Sequence, residues 1–141
     1  APFGSVIAIE RHPEDAALVE RNVRTFGLGN VSVVAGAAPD VFKGLPAPDA
    51  AFVGGSGGRL PEILDALLEA NPRVRVCVPC VTLETLAQAT ELLSDGRFEG
   101  FEAVCVSISR AASAGRYHLM RALNPVHIVS AQGAMGDGLH A

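Results

Sequence analysis

Two hydrophobic periods alternate along this chain. Residues 6–10, 31–35, 50–53 and 74–78 are short apolar runs of strand length, and the stretches between them carry apolar positions at helical spacing. The first helix is expected over residues 13–26, with Pro13 opening it, Ala17, Leu18, Val23 and Phe26 on its apolar side, and Gly27 near its end. A short helix is expected over 39–45. A longer one over 60–70 repeats Ile63, Leu64, Leu67 and Leu68, and Thr82 is placed to cap a helix running to Leu93. Residues 102–109 and 121–129 read as two late strands around a glycine-containing segment. Strands separated by helical stretches predict an α/β fold with a mostly parallel, doubly wound sheet whose last pair is antiparallel. One domain is expected over 1–130, with 131–141 as a flexible tail.

Composition narrows the partners more than the fold. With 141 residues, 49% hydrophobic, the chain can bury a sizeable core, and mean hydropathy is +0.32. A formal net charge of −4 supplies no basic field for a nucleic-acid backbone, so nucleic acid is not an expected partner. No run of 18 apolar residues and no charged-then-apolar leader is found, so neither a membrane partner nor a signal peptide is expected, and the cytoplasm is the expected compartment. Three cysteines do not make a disulfide framework.

Chemistry concentrates where strands end. The strand at 50–53 empties into Gly54, Gly55, Ser56, Gly57 and Gly58, small residues that let a ligand approach the backbone at the carboxyl edge of a sheet. Glu10 ends the first strand, where a carboxylate can accept hydrogen bonds from both hydroxyls of a ribose; a surface ion pair with Arg11 or Arg24 is the plainer alternative. Glu84, just after Thr82, either reaches substrate or favours the positive end of its helix dipole. Two rival motifs stand beside these. Residues 54–58 fit G-x-S-x-G, which would make Ser56 the nucleophile of a hydrolase. Cys77 and Cys80 form a C-x-x-C without a second pair, short of a zinc site, and no metal is expected. His12, beside Pro13, reads as a turn residue.

The segments VIAIERHPEDAALVERN, NVSVVAGAAPD, LPAPDAAFVGGSGG, VTLETL and NPVHIV, in that order, resemble the C-terminal half of the precorrin-6Y C(5,15)-methyltransferase (decarboxylating) family of the cobalamin pathway. PDAAFVGGSGG and TLET are specific to that group; the strand, acid and helix opening is shared by most Rossmann-like methyltransferases. The resemblance implies methyl transfer from S-adenosyl-L-methionine to carbon 15 of a precorrin, with decarboxylation of the carbon 12 acetate. It places Glu10 and Arg11 at the ribose, Gly36, Ala37 and Ala38 beside the adenine, and Gly54 and Gly55 under the methionine and its methyl group. Ser56, Gly57, Gly58, Thr82, Glu84, Arg110 and Arg116 would then face the tetrapyrrole, with Arg59 and Arg121 as further candidate anchors for its carboxylates. No dedicated catalytic residue is implied, because the cofactor carries the chemistry. Ala37 stands where the family often has a side-chain acceptor, and Pro79 where a small polar residue is common. The resemblance also implies a homo-oligomer, a tetramer built with the late strands, and fusion in some members to a domain acting at carbon 5. The family's first strand and its glycine-rich turn have no counterpart before Val6. A sheet interrupted between the strands at 6–10 and 50–53 is therefore expected, in a piece of a longer polypeptide.

Overall fold

The computed structural model describes residues 4–134, and the chain divides into two compact units, 1–46 and 47–141. In the first unit β1 (Val6–Glu10) pairs in parallel with β2 (Val31–Ala35), Val6 opposite Val31 and Glu10 opposite Ala35. Helix α1 (Pro13–Thr25) joins them. Proline sits at its start with Glu14 and Asp15 in the first turn, which suits the positive end of the dipole. Its C-terminus is closed by a Schellman motif: Leu28 N–H donates to Val23 C=O at 3.0 Å, Gly27 N–H to Arg24 C=O at 3.2 Å, and Gly27 takes φ +62°. The helix expected over 39–45 is absent. Phe42 N–H reaches Pro39 C=O and Leu45 N–H reaches Phe42 C=O, so the segment makes successive turns between Pro39 and Pro46, with Gly44 at φ +86°.

The second unit holds a four-stranded sheet in the order β3, β4, β8, β5. Its strands are β3 (Ala50–Phe52), β4 (Arg75–Cys80), β5 (Phe98–Val106) and β8 (Val126–Gly133). Strands β3 and β4 are parallel, and β8 is antiparallel to both its neighbours. Helices α2 (Leu60–Ala70) and α3 (Leu83–Leu93) present Leu60, Ile63, Leu64, Leu67, Ala89 and Leu93 to a core shared with Val76, Val78, Cys80, Val129 and Ala131. Those sheet residues alternate along their strands, so they all lie on one face. Gly133 is fixed by this packing, since a Cβ there would run into the Pro72 carbonyl and the Leu68 side chain.

Two late strands become four. Between β5 and β8 the chain forms an antiparallel hairpin, β6 (Ser109–Ala114) and β7 (Tyr117–Ala122). Gly115 has φ +60° and no non-glycine residue has positive φ among the described residues, which is the type II′ pattern across Gly115 and Arg116. Strand β8 runs through Gly133, so residues 131–133 of the expected tail belong to the sheet; 135–141 lie outside the described residues. The expected interruption is present in the pairing: β1 pairs only with β2 and β3 only with β4, and no described strand takes the second edge of β1 or of β3.

Candidate active site

In the first unit the parallel register brings Glu10 beside Ala35 at one edge, and the Gly36 N–H donates to the Glu10 carbonyl at 2.9 Å. The Glu10 carboxylate makes no ion pair among the described residues. Arg24 instead pairs with Glu20 at 3.6 Å, and Arg11 lies 3.3 Å from the His12 Nε2. That leaves the carboxylate with its acceptor capacity unspent at a strand end, as a diol would require. Gly36 is explained from within: its φ is +148°, and a Cβ would run into the Val41 side chain. Ala37 and Ala38 follow on the same edge and offer backbone groups only; the Ala37 carbonyl already accepts from Val41 N–H at 3.3 Å.

In the second unit strand direction gathers the remaining candidates. Strand β8 is antiparallel to β4 and to β5, so β3, β4 and β5 point the same way and end at one edge, at Phe52, Cys80 and Val106. The glycine loop leaves β3 there, and Thr82 and Glu84 follow β4. The hairpin bearing Arg110 and Arg116 is inserted between Val106 and Val126 and tied at its base by Leu123 N–H to Ile108 C=O at 2.8 Å. Pro79 is tolerated in β4 because β3 stops opposite Cys77, leaving no ladder on that side to receive its missing N–H.

The five small residues separate into two kinds. Gly57 (φ +58°) and Gly58 (φ +85°) make the turn into α2, with Ser56 C=O accepting from Arg59 N–H at 3.0 Å. Gly54 and Gly55 have no positive φ. A Cβ on Gly54 would touch the Phe52 Cε1 at an ordinary 3.5 Å, and one on Gly55 would meet nothing within 4 Å. Glycine is therefore not demanded by the fold at these two positions. Around this edge Phe52, Val81 and Leu83 are 71%, 71% and 78% exposed, an apolar rim that the pattern of the sequence did not single out. The available signal was apolar residues flanking a capping threonine. Thr82 does cap α3, its Oγ1 accepting from Thr85 N–H at 3.2 Å, and Glu84 lies in the first turn where a negative charge suits the dipole. Arg59 pairs with Glu62 at 3.4 Å, and the Arg116 guanidinium lies 4.9 Å from the centre of the Tyr117 ring.

Both rival motifs fail on geometry. A nucleophile elbow places its serine on a strained turn with the helix following at once. Here Ser56 has no positive φ, and α2 begins four residues on at Leu60. Cys77 and Cys80 are three apart in a strand and so point to opposite faces, the first half-buried and the second buried. They neither close a disulfide nor converge on a metal. Burial, with Cys77 nearby, pushes the Cys80 thiol up and away from the reactive thiolate.

Residues 1–132 match the family model described as precorrin methyltransferase domain. The chain is 38% identical over 127 residues to the probable cobalt-precorrin-6B C(15)-methyltransferase (decarboxylating) of Pyrobaculum calidifontis, covering 89% of this chain and 65% of that protein. It thus spans just under two thirds of that relative's length. Among solved structures, the precorrin-6y C5,15-methyltransferase of Geobacter metallireducens superposes with a TM-score of 0.84 at 35% identity, covering 93% of this chain and 68% of that one. A SAM-dependent O-methyltransferase from Thermotoga maritima reaches 0.72 at 20% identity over 96% of this chain and 52% of its own, a likeness of fold alone.

Proposed function

Because the chain belongs to the precorrin methyltransferase domain family, we propose that it serves S-adenosyl-L-methionine-dependent methylation of a corrin precursor at carbon 15, coupled to loss of the carbon 12 acetate carboxyl as carbon dioxide. The observation that carries this reading is the pair Gly54 and Gly55, glycines at a parallel strand end that the fold itself does not require. Bound there, S-adenosyl-L-methionine supplies an activated methyl group on a sulfonium. In the first unit, the family resemblance assigns the ribose hydroxyls to the Glu10 carboxylate, with Arg11 beside it, and the adenine to backbone groups of Gly36, Ala37 and Ala38. Gly54 and Gly55 leave room for the methionine, so that the methyl lies against the strand end. Phe52, Val81 and Leu83 offer an apolar rim at that edge for a bound ligand to cover. Ser56, Gly57, Gly58, Thr82 and Glu84 line the tetrapyrrole side, and Arg110 and Arg116 hold its carboxylates.

The test is incubation of the protein with cobalt-precorrin-6B and methyl-labelled S-adenosyl-L-methionine. Label in the tetrapyrrole with matching carbon dioxide release supports the reading; no label in the tetrapyrrole overturns it.

Self-association is a second part of the proposal, favoured by β5. This nine-residue edge strand pairs on one side with β8 and leaves Phe101, Val104 and Val106 more than two fifths exposed. A long apolar edge is a template for pairing with another copy. A homo-oligomer built through it, a tetramer on the resemblance, follows.

A further inference from the structure

The segment 36–46 leaves β2 at the edge that carries Glu10, and within it Asp40 is the one side chain able to accept a hydrogen bond. Lys43 can only donate, and the other side chains of the segment are apolar or absent. Much of the backbone beside the strand end is already committed. Gly36 N–H donates to the Glu10 carbonyl at 2.9 Å, the Ala37 carbonyl accepts from Val41 N–H at 3.3 Å, and the Pro39 carbonyl accepts from Phe42 N–H at 2.9 Å. The same bonds fold Asp40 back towards the strand. Val41 N–H closes a turn onto Ala37, and the Val41 side chain lies against Gly36, in the space a Cβ there would need. Only the Asp40 carbonyl carbon separates its Cα from the Val41 nitrogen, so that Cα lies no more than about 6 Å from the Ala37 carbonyl oxygen. Asp40 is exposed, as a carboxylate at a ligand-facing edge has to be before it is covered. It already has an interaction of its own in the protein, and a carboxylate with about four lone-pair positions is not exhausted by one.

We propose that Asp40 is the base-specificity residue of the nucleoside site, its carboxylate accepting from the exocyclic amine of adenine and turning away 6-oxopurines. This rests on the methyltransferase reading, in which the adenine borders Gly36, Ala37 and Ala38, and extends it to a side chain outside those three. The amine of adenine is a donor and needs an acceptor opposite it. An ionised carboxylate is acceptor-only, so it bonds the amine and repels an oxo group in the same place. Discrimination then comes from a lost bond and from an introduced repulsion together, which backbone groups flanked by alanine and glycine do not supply. Glu10 and Asp40 both belong to the unit 1–46, so ribose and base are read by two carboxylates within one unit.

The test is calorimetric titration of S-adenosylhomocysteine and of its 6-oxo analogue, S-inosylhomocysteine, into the whole protein and into Asp40→Ala and Asp40→Asn. The unaltered protein is expected to prefer the adenine ligand by about a hundredfold. Asp40→Ala should weaken S-adenosylhomocysteine about tenfold and leave S-inosylhomocysteine unchanged or tighter, so that the preference falls by tenfold or more. Asp40→Asn keeps a carbonyl for the amine and gains an N–H for the oxo group. It should hold S-adenosylhomocysteine within about threefold and tighten S-inosylhomocysteine about tenfold. A preference that Asp40→Ala leaves unchanged overturns the assignment, whether neither affinity moves or both fall alike, as they would if Asp40 only shaped the turn. S-adenosylhomocysteine binding indifferent to Asp40 leaves the methyltransferase reading standing, whereas no binding of S-adenosylhomocysteine to the unaltered protein overturns that reading and this assignment together.

Discussion

At Gly55 a methyl side chain would meet nothing within 4 Å and the backbone has no positive φ. Gly55→Ala is therefore expected to leave Tm unchanged or to raise stability by up to about 0.4–1 kcal/mol through the unfolded chain, while abolishing S-adenosylhomocysteine binding. Gly58→Ala should behave in the opposite way, costing roughly 1–2 kcal/mol because its φ is +85°. Thermal melts with and without the ligand separate the two; equal destabilisation would remove Gly55 from the site. The glycine cluster and Glu10 were legible in the sequence because both follow short apolar runs where parallel strands end. What could not be read was which glycines the turn consumes, since that depends on φ and on neighbours such as Phe52 and Val41. The opposite faces of Cys77 and Cys80 likewise follow only once β4 is known to extend through residue 80.

Among elements, α2 and the start of β5 are joined by Arg97, which pairs with Asp65 at 2.6 Å and with Asp95 at 2.7 Å. The hydrogen bond from Arg97 holds the Asp95 carboxyl below its ordinary value of about 3.9. The stabilisation is thus present above that value and lost as pH falls through the lower folded one. These side chains are partly exposed, so Arg97→Ala should cost only about 0.2–1 kcal/mol at pH 7 and less in strong acid, where the Asp95 carboxyl becomes protonated. Urea melts under the two conditions check this, and an equal cost in both would contradict it. Helices α1, α2 and α3 were readable within a residue because proline, glycine and threonine mark their ends. The hairpin was not, because apolar and polar side chains occupy both of its faces and strict alternation is lost across Ser109 to Ala122. The segment 39–45 misled for another reason: its apolar residues suit a helix, but prolines and Gly44 confine it to turns.

For the molecule as a whole, the family and the mixed sheet with antiparallel β8 were legible, whereas the bare edge of β5 needed the pairing pattern. Val104→Lys on that edge should shift the sedimentation coefficient towards a smaller species while leaving S-adenosylhomocysteine affinity within about twofold. An unaltered sedimentation profile would contradict association through β5. Net charge of −4 coexists with the basic hairpin, so electrostatic attraction of a polycarboxylate is local and should weaken with salt. The most direct measurement of the central claim is calorimetric titration of S-adenosylhomocysteine into the protein, with Glu10→Gln alongside. The account predicts binding that Glu10→Gln weakens about tenfold, as loss of a carboxylate to two hydroxyls requires. No binding, or binding that Glu10→Gln leaves untouched, would contradict it.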